Sequence, residues 1–163
     1  MQDISAYTTV PGPGFEVTTF PLNHPGGALG YRLNFQHNSL CHVIDTEHTP
    51  GTLDQNILNA VQQTDLMIYD STYTDATFAP KKGWGHSTWE QGIRLALAAK
   101  IKHLALYHHD HSHTDDVLGD IDKKARKPCP QPLSAAKIWS WTFREKPSYG
   151  EQTCFRFHVV CDR

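Results

Sequence analysis

Short runs of apolar and β-branched residues, separated by turn-forming polar clusters, dominate the first third of the chain. Phe15–Phe20 (Phe-Glu-Val-Thr-Thr-Phe) predicts a strand. Leu29–Phe35 and Ser39–Asp45 predict two more, and the intervening Gln36-His37-Asn38 makes them a hairpin. The period then changes. Leu53–Gln63 places Leu53, Ile57, Leu58 and Val61 on one helical face. Asp65–Asp70 (Asp-Leu-Met-Ile-Tyr-Asp) predicts a buried strand. Ser87–Ala99 is the clearest helix, with Ser87 and Glu90 at capping-box spacing and Ile93, Leu95, Ala96 and Leu97 as its apolar content. Lys102–His108 predicts another strand, and Asp115–Arg126 carries a weaker helical pattern. Helix, strand, helix, strand over residues 53–108 is an α/β signature.

A length of 163 residues fits one domain with a single core. Aromatics make up 10% and the net charge is −2, which excludes a chain disordered throughout. No apolar run has the length of a transmembrane helix. The start, Met-Gln-Asp-Ile-Ser, lacks the basic and apolar regions of a signal peptide. Cys41, Cys129, Cys154 and Cys161 show no Cys-x-x-Cys spacing. The expectation is a cytoplasmic chain with reduced thiols and no membrane contact.

Charge divides the chain unevenly. Residues 1–122 carry 6 Lys+Arg against 14 Asp+Glu, and residues 123–163 carry 9 against 3. The change falls at Lys123-Lys124-Ala125-Arg126-Lys127, followed by Pro128, Pro130 and Pro132. We therefore divide the chain into a body, residues 1–126, and a divergent basic tail, residues 127–163. Alternation at Trp139, Trp141, Phe143 and at Phe155, Phe157, Val159 predicts a hairpin in the tail. A solvated linker packed against an acidic body explains the basic charge more economically than nucleic-acid binding.

Histidine changes the picture most. There are 11, and six lie between His86 and His113, with acidic neighbours. Neutral imidazole is the commonest metal ligand. Ligand-type residues also fall at predicted strand ends: His24, Asp45, Asp70 and His108. Functional side chains of open α/β sheets collect at the carboxyl ends of strands. Each residue taken singly also has a plain reading as a turn or capping group.

Five ordered motifs carry a resemblance. They are Asn23-His24-Pro25-Gly26-Gly27-Ala28-Leu29-Gly30-Tyr31-Arg32, Ile44-Asp45-Thr46-Glu47-His48, Tyr69-Asp70-Ser71-Thr72, Gly85-His86-Ser87-Thr88 and Tyr107-His108-His109-Asp110. Over roughly residues 14–122 the chain resembles the second half of a metallo-β-lactamase-fold hydrolase. The nearest branch is similar to tRNA 3′-processing endonucleases and cyclic-nucleotide phosphodiesterases. The resemblance implies metal ligands at His24, Asp45 and His108, with Asp45 bridging two ions. It implies that His86 assists the leaving group and that Asp70 is its acidic partner. Zinc, two ions per site, is the expected cofactor, and manganese or iron would also suit these donors. Two such ions bind a bridging hydroxide and clamp a phosphoryl group. The expected activity is hydrolysis of a small phosphate ester, of phosphodiester or phosphotriester type. The loop Lys81-Lys82-Gly83-Trp84-Gly85 offers Lys82 and Trp84 to a phosphate-bearing or aromatic substrate; a Trp84 merely packed on the body is the alternative.

The resemblance is incomplete. No His-x-His-x-Asp-His motif occurs in the first 100 residues, and His24 stands too early for the first half of the fold to precede it. The expected architecture is half of an αβ/βα sandwich, completed by a homodimer. A split protein needing a separate first half, or a non-catalytic metal-binding remnant, are the alternatives. A lactone or β-lactam hydrolase is a third reading, though the His-Ser-Thr loop favours phosphate. The run His109-Asp110-His111-Ser112-His113 has one reading as replacement ligands, with His109, His111 and His113 alternating on an extended segment. Its other reading is a polar loop with solvent-facing imidazoles.

Overall fold

The computed structural model describes residues 4–128 and the pair His158–Val159. Strands β1 (Thr9–Gly12), β2 (Phe15–Leu22), β3 (Ala28–Phe35), β4 (Ser39–Val43), β5 (Leu66–Asp70), β6 (His103–Tyr107) and β7 (His158–Val159) form one sheet in chain order. β1 to β4 make an antiparallel meander, β4, β5 and β6 are parallel, and β7 closes antiparallel on β6. Helix α1 (Gln55–Ala60) crosses from β4 to β5. The short α2 (Asp75–Phe78) and the longer α3 (Trp89–Ala98) cross from β5 to β6, and α4 (Asp115–Ala125) follows β6.

The α/β expectation holds, with local corrections. β1 is an addition, not predicted from the pattern: proline is tolerated on an edge strand, where its missing N–H faces no partner. The first helix is shorter than its periodicity suggests. It starts where the Asp54 carboxylate accepts the Asn56 and Ile57 N–H groups. α3 is capped by Thr88, whose hydroxyl accepts the Gln91 N–H, and not by Ser87. Ser87 is fully buried and its hydroxyl is engaged elsewhere. The tail hairpin lies outside the described residues, apart from β7, which pairs Val159 with Ala105 and His158 with Leu106.

Register sorts the two faces of the sheet. Cys41, Met67 and Leu104 stand side by side, as do Val43, Tyr69 and Leu106, and all six are buried. They meet Ile57 and Val61 around α1, Trp89, Ile93, Leu95 and Ala96 on α3, and Ile121 and Ala125 on α4. Burial raises the pKa of the Cys41 thiol, so this cysteine acts as a small core residue. The opposite face carries Leu33, Leu40 and Leu66 in one row and Tyr31, His42 and Ile68 in the next, all partly exposed. Among the described residues, no helix is long and apolar enough to cross a membrane.

Two glycines test this packing with opposite signs. A methyl group at Gly92, inside α3, would lie 2.7 Å from Cδ1 of the fully buried Tyr69. At Gly119, inside α4, it would meet nothing within 4 Å. Gly119→Ala is expected to stabilise the fold by about 0.5–1 kcal/mol through helix propensity. Gly92→Ala is expected to destabilise it by about 1–3 kcal/mol, since overpacking outweighs the same propensity gain. Denaturant midpoints of the two variants against the parent protein read both.

Candidate metal centre

The parallel strands deliver their carboxyl ends to one edge of the sheet. Asp70 is the last residue of β5, His108 directly follows β6, and Asp45 lies just past β4. His86 comes from the loop before α3. Asp45, Asp70, His86 and His108 each place one ligand-type atom so that all lie within 4.8 Å of one another. His108 Nε2 is 3.5 Å from Asp45 Oδ1, and His86 Nδ1 is 3.8 Å from the same oxygen.

The two carboxylates have different surroundings. Asp70 is fully buried, and its oxygens are occupied. Oδ1 accepts the Thr72 hydroxyl at 2.8 Å, the Thr72 N–H at 3.2 Å and the Ser87 N–H at 3.4 Å. Oδ2 accepts the Thr46 N–H at 3.4 Å and faces His86 Nδ1 at 3.0 Å. An ionised carboxylate only accepts, so His86 carries its proton on Nδ1 and directs it at Asp70. Asp45, by contrast, is 40% exposed, yet its Oδ1 is buried and makes no hydrogen bond among the described residues. Thr72 joins the carboxylate to the last strand, with its hydroxyl 3.0 Å from His108 Nδ1 and 2.7 Å from the His108 carbonyl. His108 holds a φ of +60°, a region that costs a non-glycine residue about 1–3 kcal/mol and that surrounding contacts must enforce.

A second set of contacts holds the His86 loop. Glu47 Oε2 accepts the Gly83 N–H at 2.7 Å and the Gly85 N–H at 3.0 Å. His48 Nδ1 lies 2.8 Å from the Ser87 hydroxyl, which lies 2.9 Å from the Tyr69 hydroxyl. The His48 ring stacks on Phe78 at 4.2 Å. Burial lowers the His48 pKa and raises that of Tyr69, so both are neutral at pH 7. Sequence reading missed Glu47, His48 and Thr72. Their positions inside the Asp45 and Asp70 motifs were the available signal.

Several expected residues sit differently. His24 lies beside the quartet, its ring centroid 6.2 Å from that of His86. Its Nδ1 accepts the Gly26 N–H at 3.1 Å, and a neutral imidazole has only one such lone pair to give. The segment after β6 is not extended, which corrects the alternation expected there. The Asp110 carboxylate accepts the Ser112 N–H, its carbonyl accepts the His113 N–H, and a turn results. This leaves His111 fully exposed, while the His109 and His113 rings lie tilted against each other with centroids 6.4 Å apart. None of the three joins the quartet. Trp84 is exposed. Lys82 is exposed, and it is Lys81 whose ammonium lies over the Trp84 ring.

The donors fit a divalent ion. Asp45 Oδ1 is an orphaned buried oxygen facing an imidazole nitrogen 3.5 Å away. One ion at the usual ~2.0–2.2 Å from both would span that gap. Carboxylate and imidazole together suit zinc, manganese or iron.

Residues 2–109 match the Beta-lactamase superfamily domain. Ribonuclease Z of Gemmatimonas aurantiaca is 34% identical over 91 residues, covering 56% of this chain and 27% of that protein. Ribonuclease Z of Sulfurisphaera tokodaii is 43% identical over 54 residues, covering 33% and 18%. Among solved structures, the metallo-beta-lactamase fold protein YhfI from Bacillus subtilis superposes with a TM-score of 0.62 at 17% identity, covering 74% of this chain and 48% of that one. The short form of human tRNase Z gives 0.53 at 24% identity, covering 63% and 38%. The chain thus spans about a quarter or less of these two curated relatives and less than half of these two solved chains. Strand-end donors, sheet order and matched domain agree, and the chain belongs to the beta-lactamase superfamily.

Proposed function

We propose that this chain is a metal-dependent hydrolase acting on phosphodiesters. The observation that carries the reading is the His86–Asp70 pair, 3.0 Å apart, beside the orphaned Asp45 oxygen. Asp45 and His108 would hold the ion, because the oxygens of Asp70 and Nδ1 of His86 are already engaged. Zinc is the ion we favour, with manganese or iron as substitutes. A divalent ion there polarises a phosphoryl oxygen and acidifies bound water.

The protein's own groups supply the rest. Asp70 keeps the His86 proton on Nδ1 and fixes the ring, which leaves Nε2 to hand a second proton to the departing oxygen. An alkoxide leaves a phosphorus centre far more easily when protonated as it departs. Acyl hydrolysis needs that helper less, so phosphate esters fit this site better than lactones or β-lactams. The similarity to Ribonuclease Z and tRNase Z, by their names RNA-cleaving proteins, supports RNA phosphodiesters as part of the substrate class.

Two donors are fewer than the three or four protein ligands a zinc site normally has. The second ion implied by the resemblance would also need donors beyond this quartet. We read the remaining ligands, and the cover for the Tyr31, Leu33 and Ile68 face of the sheet, as coming from a second copy of the chain.

Three outcomes are expected. With bis(4-nitrophenyl) phosphate as substrate, His86→Ala and Asp70→Asn lower kcat by about 10²–10⁴-fold with little change in KM. An inactive, metal-loaded parent protein would overturn the phosphodiester reading. Elemental analysis finds tightly held metal in the parent and its loss in Asp45→Asn; equal content in both removes Asp45 as a ligand. Sedimentation gives twice the 18.4 kDa chain mass, and a metal-loaded monomer would exclude the shared site.

A further inference from the structure

Trp84 stands at the tip of the His86 loop with 59% of its surface exposed. An isolated exposed aromatic is unremarked in most proteins. The backbone that carries this one is held in place. Both flanking N–H groups, of Gly83 and Gly85, are bound by the single Glu47 oxygen. Both glycines have positive φ, +87° and +85°, so the turn depends on their freedom. Gly85 also lies flat on the neighbouring motif: a Cβ there would sit 2.1 Å from His24 Cδ2 and 2.9 Å from Pro25 Cδ. The loop is therefore clamped by Glu47 and rests on His24.

The indole has two unlike faces. The Lys81 ammonium lies 4.2 Å from its centroid and 5.8 Å from that of Tyr73. Tyr73 in turn meets His86 edge-on, with centroids 6.2 Å apart. A cation therefore occupies one face of Trp84, and a line of side chains runs from it to His86. More than half of the Trp84 surface stays exposed beside that cation. A π surface exposed to water on an anchored loop adds little to folding, but the anchored backbone lowers the entropy lost when a planar ligand stacks on it. Every nucleobase presents such a planar face, whatever its sequence. A basic group beside the ring suits the phosphate that accompanies a base.

We infer that Trp84 is a stacking platform for the base of a nucleotidic phosphodiester whose phosphate reaches His86. This rests on the phosphodiester reading above, and it adds the base to the substrate. The test is binding, without turnover. AMP and ribose 5-phosphate are titrated by calorimetry into the full chain, as the parent protein, Trp84→Phe and Trp84→Ala. Trp84→Ala is expected to weaken AMP by about tenfold or more. Trp84→Phe stays within about threefold of the parent, and ribose 5-phosphate is the same for all three proteins. Equal AMP affinity in the parent protein and Trp84→Ala would overturn the inference. So would ribose 5-phosphate binding as tightly as AMP, or a fall in native mass in Trp84→Ala, which would make the indole an interface residue. Trp84-dependent AMP binding in a protein inert toward diesters would leave the stacking site standing and remove only the hydrolytic reading.

Discussion

A carboxylate with no exposure to solvent governs this edge of the sheet. Burying the charge of Asp70 costs several kcal/mol unless donors surround it. The donors come from three separate segments: Thr46 after β4, Thr72 after β5, and His86 with Ser87 before α3. No one segment can satisfy Asp70 alone. Satisfying it draws the three together, and Thr72 extends the network to His108 after β6. The site's geometry is thus a consequence of neutralising one buried charge.

That network separates the roles of two acids only a few ångströms apart. Asp70 faces inward, saturated, and can do little except orient His86. Asp45 is partly exposed, and its buried Oδ1 makes no hydrogen bond among the described residues while facing the His86 and His108 rings. Similar residues in different surroundings acquire different chemistry, as paired acids in hydrolytic sites generally do. Glu47 and His48 then brace His86 from both sides, binding the loop at Gly83 and Gly85 before it and at Ser87 after it.

Much of the fold was legible because its signals are local. The hairpin at Gln36-His37-Asn38 and the alternation of helices with strands over residues 53–108 follow from composition and period. The local signals failed where a tertiary partner outbid them. Ser87 has the spacing of a cap, but His48 and Tyr69 take its hydroxyl, and capping passes to Thr88. The histidine run after β6 looks extended by alternation, but the Asp110 side chain turns it, and His111 leaves the site. β1 was hidden by its proline and glycine, because an edge strand does not need the N–H that proline lacks.

The sequence by itself determined most of the strands and helices, the family motifs and the placing of His24, Asp45, Asp70 and His108 at strand ends, since each depends on a few consecutive residues; β1 and the short α2 were not among them. Tertiary structure alone decided which of them meet. Parallel register across β4, β5 and β6 sets the distances between loops far apart in the chain. Those distances bring Asp45, Asp70, His86 and His108 together and leave His24 to its own turn. They also lift Trp84 into solvent on a loop anchored by Glu47, a contact spanning 36 to 38 residues of sequence that no local pattern encodes.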